Sequence, residues 1–142
     1  MASINTGRVV IGGLVGGFVA NACDMLWNMT VLKDDMTAMA QRFGMDAAAA
    51  QSMSAAAPWI VIDFILGLLT VFTYAAIRPR FGPGPKTALI AGITLYLAIT
   101  AIVYGFTSMG MMPMGAFGRG SATSLVTTIL GSLAGAAMYK EA

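Results

Sequence analysis

Long apolar runs dominate the chain, and polar positions gather between them. Four runs stand out: from about Val9 to Leu32, Pro58 to Ile77, Thr87 to Phe106 and Ser121 to Tyr139. A run of about twenty residues is long enough for a helix to cross the hydrocarbon core of a bilayer. The pattern predicts an all-α membrane protein, a four-transmembrane-helix bundle forming a single domain over residues 1–142. Only Lys33–Ala57 is a long connection. Met36, Met39, Ala40 and Phe43 have helical spacing there, Gly44 is a stop, and Asp46 is placed to cap a second piece through Ala47–Ala50. These read as short amphipathic helices in the first outward loop, lying on the membrane surface. Pro58 suits the first turn of the second span, where its missing N–H is not needed. Arg78-Pro79-Arg80 closes that span, and RPRFGPGPK (Arg78–Lys86) reads as a rigid tight turn.

The first span carries the most information. Gly12/Gly16 and Gly13/Gly17 are overlapping small-xxx-small pairs, which allow close helix–helix approach in lipid. Gly13, Gly17, Asn21, Asp24 and Asn28 follow at spacings of four, four, three and four, one continuous helix face. The fourth span is the least apolar. It holds Ser121, Thr123, Ser124, Thr127, Thr128 and Ser132, and Gly131/Gly135 repeat the close-packing spacing. This span is expected inside the bundle or at a subunit contact. Small-residue faces on both spans point to self-association or attachment to another membrane protein. Trp27 and Trp59 fall where interfacial indoles are expected.

Composition agrees with the membrane reading. The chain is 58% hydrophobic and 10% charged, with a mean hydropathy of +0.79, whereas soluble domains carry about 25% charged residues. No basic helix or aromatic-interleaved patch points to nucleic acid. Charge also sets orientation. Arg8, the turn cations Arg78, Arg80 and Lys86, and Lys140 all fall on one side of a four-span arrangement. By the positive-inside rule that side is cytoplasmic, with both termini inside. The first loop, with Lys33 and Arg42 against Asp34, Asp35 and Asp46, is net −1 and faces outward. Cys23 is the single cysteine and has no internal disulfide partner; it reads as a small buried apolar residue. Ala20-Asn21-Ala22 before it resembles a signal-peptidase site, and the first span is read as a retained, signal-anchor-like segment.

Ionisable residues within spans are costly and point to function by default. Asp24 lies roughly 24 Å above Arg8 and Asp63 roughly 8 Å below Pro58, at the helical rise of about 1.5 Å per residue. Both then fall in the outer half of the bilayer. Asn21, Asp24, Asn28 and Asp63 are expected to share one intramembrane polar site, reached by Arg119 from the outward end of the fourth span. Such a site could serve a cation, a proton or a small solute; its bland counterpart is a structural polar clamp. The chain has 12 methionines. Met109, Met111, Met112 and Met114 form an outward loop whose thioethers could take Cu(I), although methionine also serves as a flexible apolar filler. Histidine is absent, which removes Ser–His and Cys–His nucleophile pairs and axial ligation of haem or chlorophyll.

The run Tyr74-Ala75-Ala76-Ile77-Arg78-Pro79-Arg80-Phe81-Gly82-Pro83-Gly84-Pro85-Lys86-Thr87-Ala88 resembles the central loop of small, uncharacterised bacterial four-span membrane proteins. The glycine-rich opening span with Asn21 and the closing stretch Ala134 to Glu141 are similar to theirs as well. The resemblance implies a bacterial inner-membrane location and a four-helix fold, and it carries over no site residues. The function expected is that of a non-enzymatic accessory or scaffolding subunit. The alternatives are a small transporter or channel using Asp24 and Asp63, and an outward-facing copper-binding protein.

Overall fold

The computed structural model describes residues 3–141. Among them the chain forms six helices and no strand: α1 (Thr6–Met29), α2 (Lys33–Arg42), α3 (Ala47–Ala50), α4 (Met53–Phe81), α5 (Pro85–Ser108) and α6 (Met114–Ala137). Four of them, α1, α4, α5 and α6, are long and apolar enough to cross a membrane.

Local chemistry sets the helix ends. The Asn5 side chain caps α1, accepting from the Arg8 N–H at 3.1 Å. Gly44 stops α2 with φ +66°, and Asp46 caps α3 by accepting from the Ala49 N–H at 3.1 Å. Two proline expectations need correction. Ser52 caps α4 through its hydroxyl, which accepts from the Ala55 N–H at 3.3 Å. The helix therefore starts before Pro58, which sits inside it and withholds a bond from the Ser54 carbonyl. Pro79 does not end α4 either. The helix runs on to Phe81 and stops at Gly82, whose φ of +81° suits glycine. In the same way α6 begins at Met114, so Arg119 lies within a helix rather than ahead of one.

Helix α1 packs against both α4 and α6, and α5 packs against α6 and α4. The two glycine pairs of α1 divide this work. A Cβ on Gly12 would sit 2.6 Å from the Gly135 carbonyl oxygen, and one on Gly16 2.9 Å from that of Gly131. A Cβ on Gly13 would sit 2.7 Å from the Leu68 Cα, and one on Gly17 2.8 Å from the Phe64 Cα. Gly12 and Gly16 thus bring in α6, while Gly13 and Gly17 bring in α4. Gly67 answers from α4, with no room for a Cβ against the Gly13 carbonyl. The small-residue faces that suggested self-association are occupied within the chain.

The apolar core lies toward the chain ends: Val9, Val71, Tyr74, Ala75, Ala88, Ala91, Ala136 and Tyr139. Polar groups tie this end together. The Asn5 N–H donates to the Tyr139 hydroxyl at 3.3 Å, and the Gly84 N–H to the Tyr74 hydroxyl at 3.2 Å. The two tyrosine rings meet edge to face at 5.9 Å. Arg78 lies 5.6 Å over the Tyr139 ring and pairs with Glu141 at 3.5 Å. Both ends of the described chain and the α4–α5 turn therefore share one end of the molecule. Large apolar side chains remain exposed along all four long helices, among them Phe18, Phe72, Leu97 and Leu130.

Candidate functional site

Near the opposite end, the polar residues of α1 reach both neighbouring helices. The Thr127 hydroxyl of α6 donates to Asp24 Oδ1 at 2.8 Å. Its oxygen accepts from the Trp27 indole N–H at 3.0 Å. Trp27 is half-buried and turned toward α6. Asn21 turns to α4 instead: its Nδ2 donates to the Gly17 carbonyl at 3.0 Å and to the Ile60 carbonyl at 3.3 Å. In an apolar setting each of these bonds satisfies a group that would otherwise be costly. Asp24 and Asn21 are thus clamps on two sides of α1.

Asp63 is different. It is half-buried on the α1-facing side of α4, beside Phe64 and Gly67, and its carboxyl has no hydrogen-bond partner among the described residues. Asp24 and Asp63 are the two carboxylates within the four long helices. The two do not share a level, which corrects the depth expected from counting along separate spans. Gly13 faces Leu68 and Gly17 faces Phe64, so one step up α1 is one step back along α4. On that register Asp63 is level with Phe18, six residues and about 9 Å below Asp24 at 1.5 Å per residue. Side chains lean toward the N-terminus of their own helix. In this antiparallel pair the lean brings the two carboxyls toward each other.

Two predicted members lie outside this group. Asn28 is exposed and its side chain has no hydrogen bond among the described residues. Arg119 turns away to α2. Its Nε and Nη2 donate to the two carboxylate oxygens of Asp35 at 2.7 and 2.5 Å, a two-pronged ion pair. The Arg119 hydrogen bond holds the Asp35 carboxyl below the usual carboxylate range. Arg42 adds a second tie by donating to the Gly110 carbonyl. Helix α2 is thereby fastened across the start of α6 and the α5–α6 turn.

In that turn Met109, Met111 and Met114 are exposed and Met112 is half-buried. Cys23 is a free, half-buried thiol. Among the described residues no group of three or more His, Cys, Asp or Glu is placed to hold a metal ion.

Comparison with protein-family models, curated proteins and solved structures found no match.

Sequence reasoning missed Thr127, Gly67 and Asp35 as partners. Thr127 carried a signal. Thr123, Thr127, Gly131 and Gly135 recur every four residues on α6, and all four are buried. Asp35 carried none, because a charge in a loop helix has no distinctive spacing.

Proposed function

We propose that this chain is a non-enzymatic four-helix transmembrane bundle of a bacterial inner membrane, an accessory or scaffolding subunit of a membrane assembly. The observation that carries the reading is the exposed apolar surface. Phe18, Phe72, Leu97 and Leu130 stand out from four different long helices, a surface suited to lipid or to other membrane helices rather than to water. The cationic end, with Arg8, Arg78, Arg80, Lys86 and Lys140, supports a cytoplasmic position for both termini. The glycine faces of α1 and α6 are already occupied, so a partner would meet the outer faces of the helices. Gentle detergent extraction followed by mass spectrometry of the intact assembly tests the reading. A second copy or another membrane protein at fixed stoichiometry is expected. A strictly monomeric protein that brings nothing with it refutes the subunit role.

Asp63 favours a second reading, a small transporter or channel with an intramembrane carboxylate site, because that carboxyl lacks the hydrogen bond that Asp24 has. Flux of protons and monovalent cations into proteoliposomes distinguishes the two. The transport reading expects Asp63→Asn to abolish a flux that the wild type supports. No flux above empty liposomes rejects it.

A further inference from the structure

Helix α2 is strung between two breaks in the chain. Thr30–Leu32 joins it to α1, with Thr30 at φ −120° and ψ −82°, outside helical geometry. Phe43–Asp46 follows it, with Gly44 at φ +66°. Little apolar surface holds α2 down, for Ala40 is its one buried residue. Among the described residues, its side chains are hydrogen-bonded to other elements at two positions alone. Asp35 accepts from Arg119 of α6, and Arg42 donates to the Gly110 carbonyl of the α5–α6 turn. The Arg119 side chain is 53% exposed, so water and salt reach the ion pair.

These ties sit over the end of α1. Gly12 meets Gly135 and Gly16 meets Gly131, so α1 and α6 run antiparallel and Arg119 is level with Asn28 in the last turn of α1. Asp24 lies one turn, about 6 Å, below that level. It is bonded to Thr127, which also holds the Trp27 indole. Fastened to Arg119 and Gly110, α2 therefore crosses the mouth of the α1–α6 contact that has Asp24 inside it. Cys23 stands on the same side of α1. Gly16, Ala20, Cys23 and Trp27 follow at spacings of four, three and four, one helix face. Gly16 and Ala20 pack beside Gly131, and Trp27 bonds to Thr127. Cys23 is half-buried and is the single cysteine of the chain, which makes it a native reporter of access to this face.

We propose that α2 is a hinged lid over this end of the α1–α6 contact. With the Asp35–Arg119 pair formed, it shields Asp24 and Cys23. With the pair broken, it swings on Thr30–Leu32 and Phe43–Asp46 and opens both to water. An exposed ion pair contributes modestly to stability, and one buried alanine adds little, so the lid opens locally while the long helices stay packed. The device is the same whether the chain serves as a subunit or as a transporter.

The test is the rate at which a small neutral maleimide labels Cys23 in the full chain in detergent, at neutral pH. Asp35→Asn and Arg119→Gln are each expected to speed labelling about fivefold, the upper end for loss of an exposed ion pair. Exchanging the pair, Asp35→Arg with Arg119→Asp, is expected to bring the rate back to within about twofold of wild type; a variant that labels fast because it has lost its fold would not be rescued this way. Lys86→Ala, at the other end of the molecule, is expected to change nothing. The wild type supplies a test without mutation. Raising salt to about 1 M shortens the screening length to about 3 Å and is expected to speed its labelling, while Asp35→Asn, which has no pair to screen, stays the same. Wild-type labelling that ignores salt overturns the proposal, as do single variants that label at the wild-type rate. An exchanged pair as fast as the single variants overturns it too, since the ion pair then does not hold the lid.

Discussion

Thr127→Val removes one oxygen and leaves the shape of the side chain nearly unchanged. Thr127 is 7% exposed, and its hydroxyl serves two partners at once. It donates to Asp24 at 2.8 Å and accepts from the Trp27 indole at 3.0 Å. Interhelical hydrogen bonds in membrane proteins are worth about 0.6 kcal/mol on average and up to about 1.7 kcal/mol. Two such bonds give about 1.2 kcal/mol, and leaving an indole N–H and a carboxyl unpaired raises the cost. We expect a destabilisation of about 1–2 kcal/mol, measured by equilibrium unfolding in mixed micelles. Trp59→Phe leaves Trp27 as the sole tryptophan of the two in the chain, so its emission reports on the same site. The valine variant should shift the emission maximum, and Thr127→Ser should recover most of the stability. A double-mutant cycle with Trp27→Phe should give a coupling of about 0.5–1 kcal/mol. If Thr127→Val unfolds within about 0.3 kcal/mol of wild type and the emission does not move, the clamp contributes nothing and the account of Asp24 as a structural residue fails.

Two further outcomes follow from the packing and from the α2 fastening. Gly67→Ala should cost about 1–3 kcal/mol in the same unfolding assay, because its Cβ meets the Gly13 backbone. Gly118→Ala, with nothing within 4 Å, should be neutral or stabilising by up to about 1 kcal/mol; equal effects would contradict the described α1–α4 approach. Asp35→Asn should loosen α2, read as severalfold faster tryptic cleavage after Arg42 at neutral pH, and an unchanged rate would show that the Arg119 pair does not hold α2. Because the folded-state value of Asp35 is lowered, its contribution is full above the ordinary aspartate value of about 3.9 and is lost as pH falls through the lowered one. A spin label at the exposed position Ala38 should therefore gain mobility only in acid, below about pH 4. Mobility rising between pH 5 and 7 would contradict the pairing.

Several features were legible along the chain because their causes are local. Apolar run length gave the four long helices, each long and apolar enough to cross a membrane. Gly44 and Asp46 mark the breaks around α2 and α3 through backbone conformation and capping, which depend on a few neighbouring residues. The overlapping glycine pairs of α1 also carried their meaning in their spacing, since only a residue without a side chain permits such approach. The proline expectations failed for a local reason as well. The Ser52 cap lies upstream and had already started α4 when the chain reached Pro58.

Other features depended on which helix stands beside which, and spacing within one helix carries no such information. Asp24 finds Thr127 across 103 positions, and Arg119 finds Asp35 across 84. A count of depth along separate spans placed Asp24 and Asp63 together, but the glycine contacts between α1 and α4 set a register that offsets them by about 9 Å. The glycine rows show the same division. Sequence made them close-packing surfaces, while only the tertiary structure made their partners α4 and α6 of the same chain rather than a second molecule. A small-residue face specifies how near another backbone can come, and the rest of the fold decides whose backbone that is.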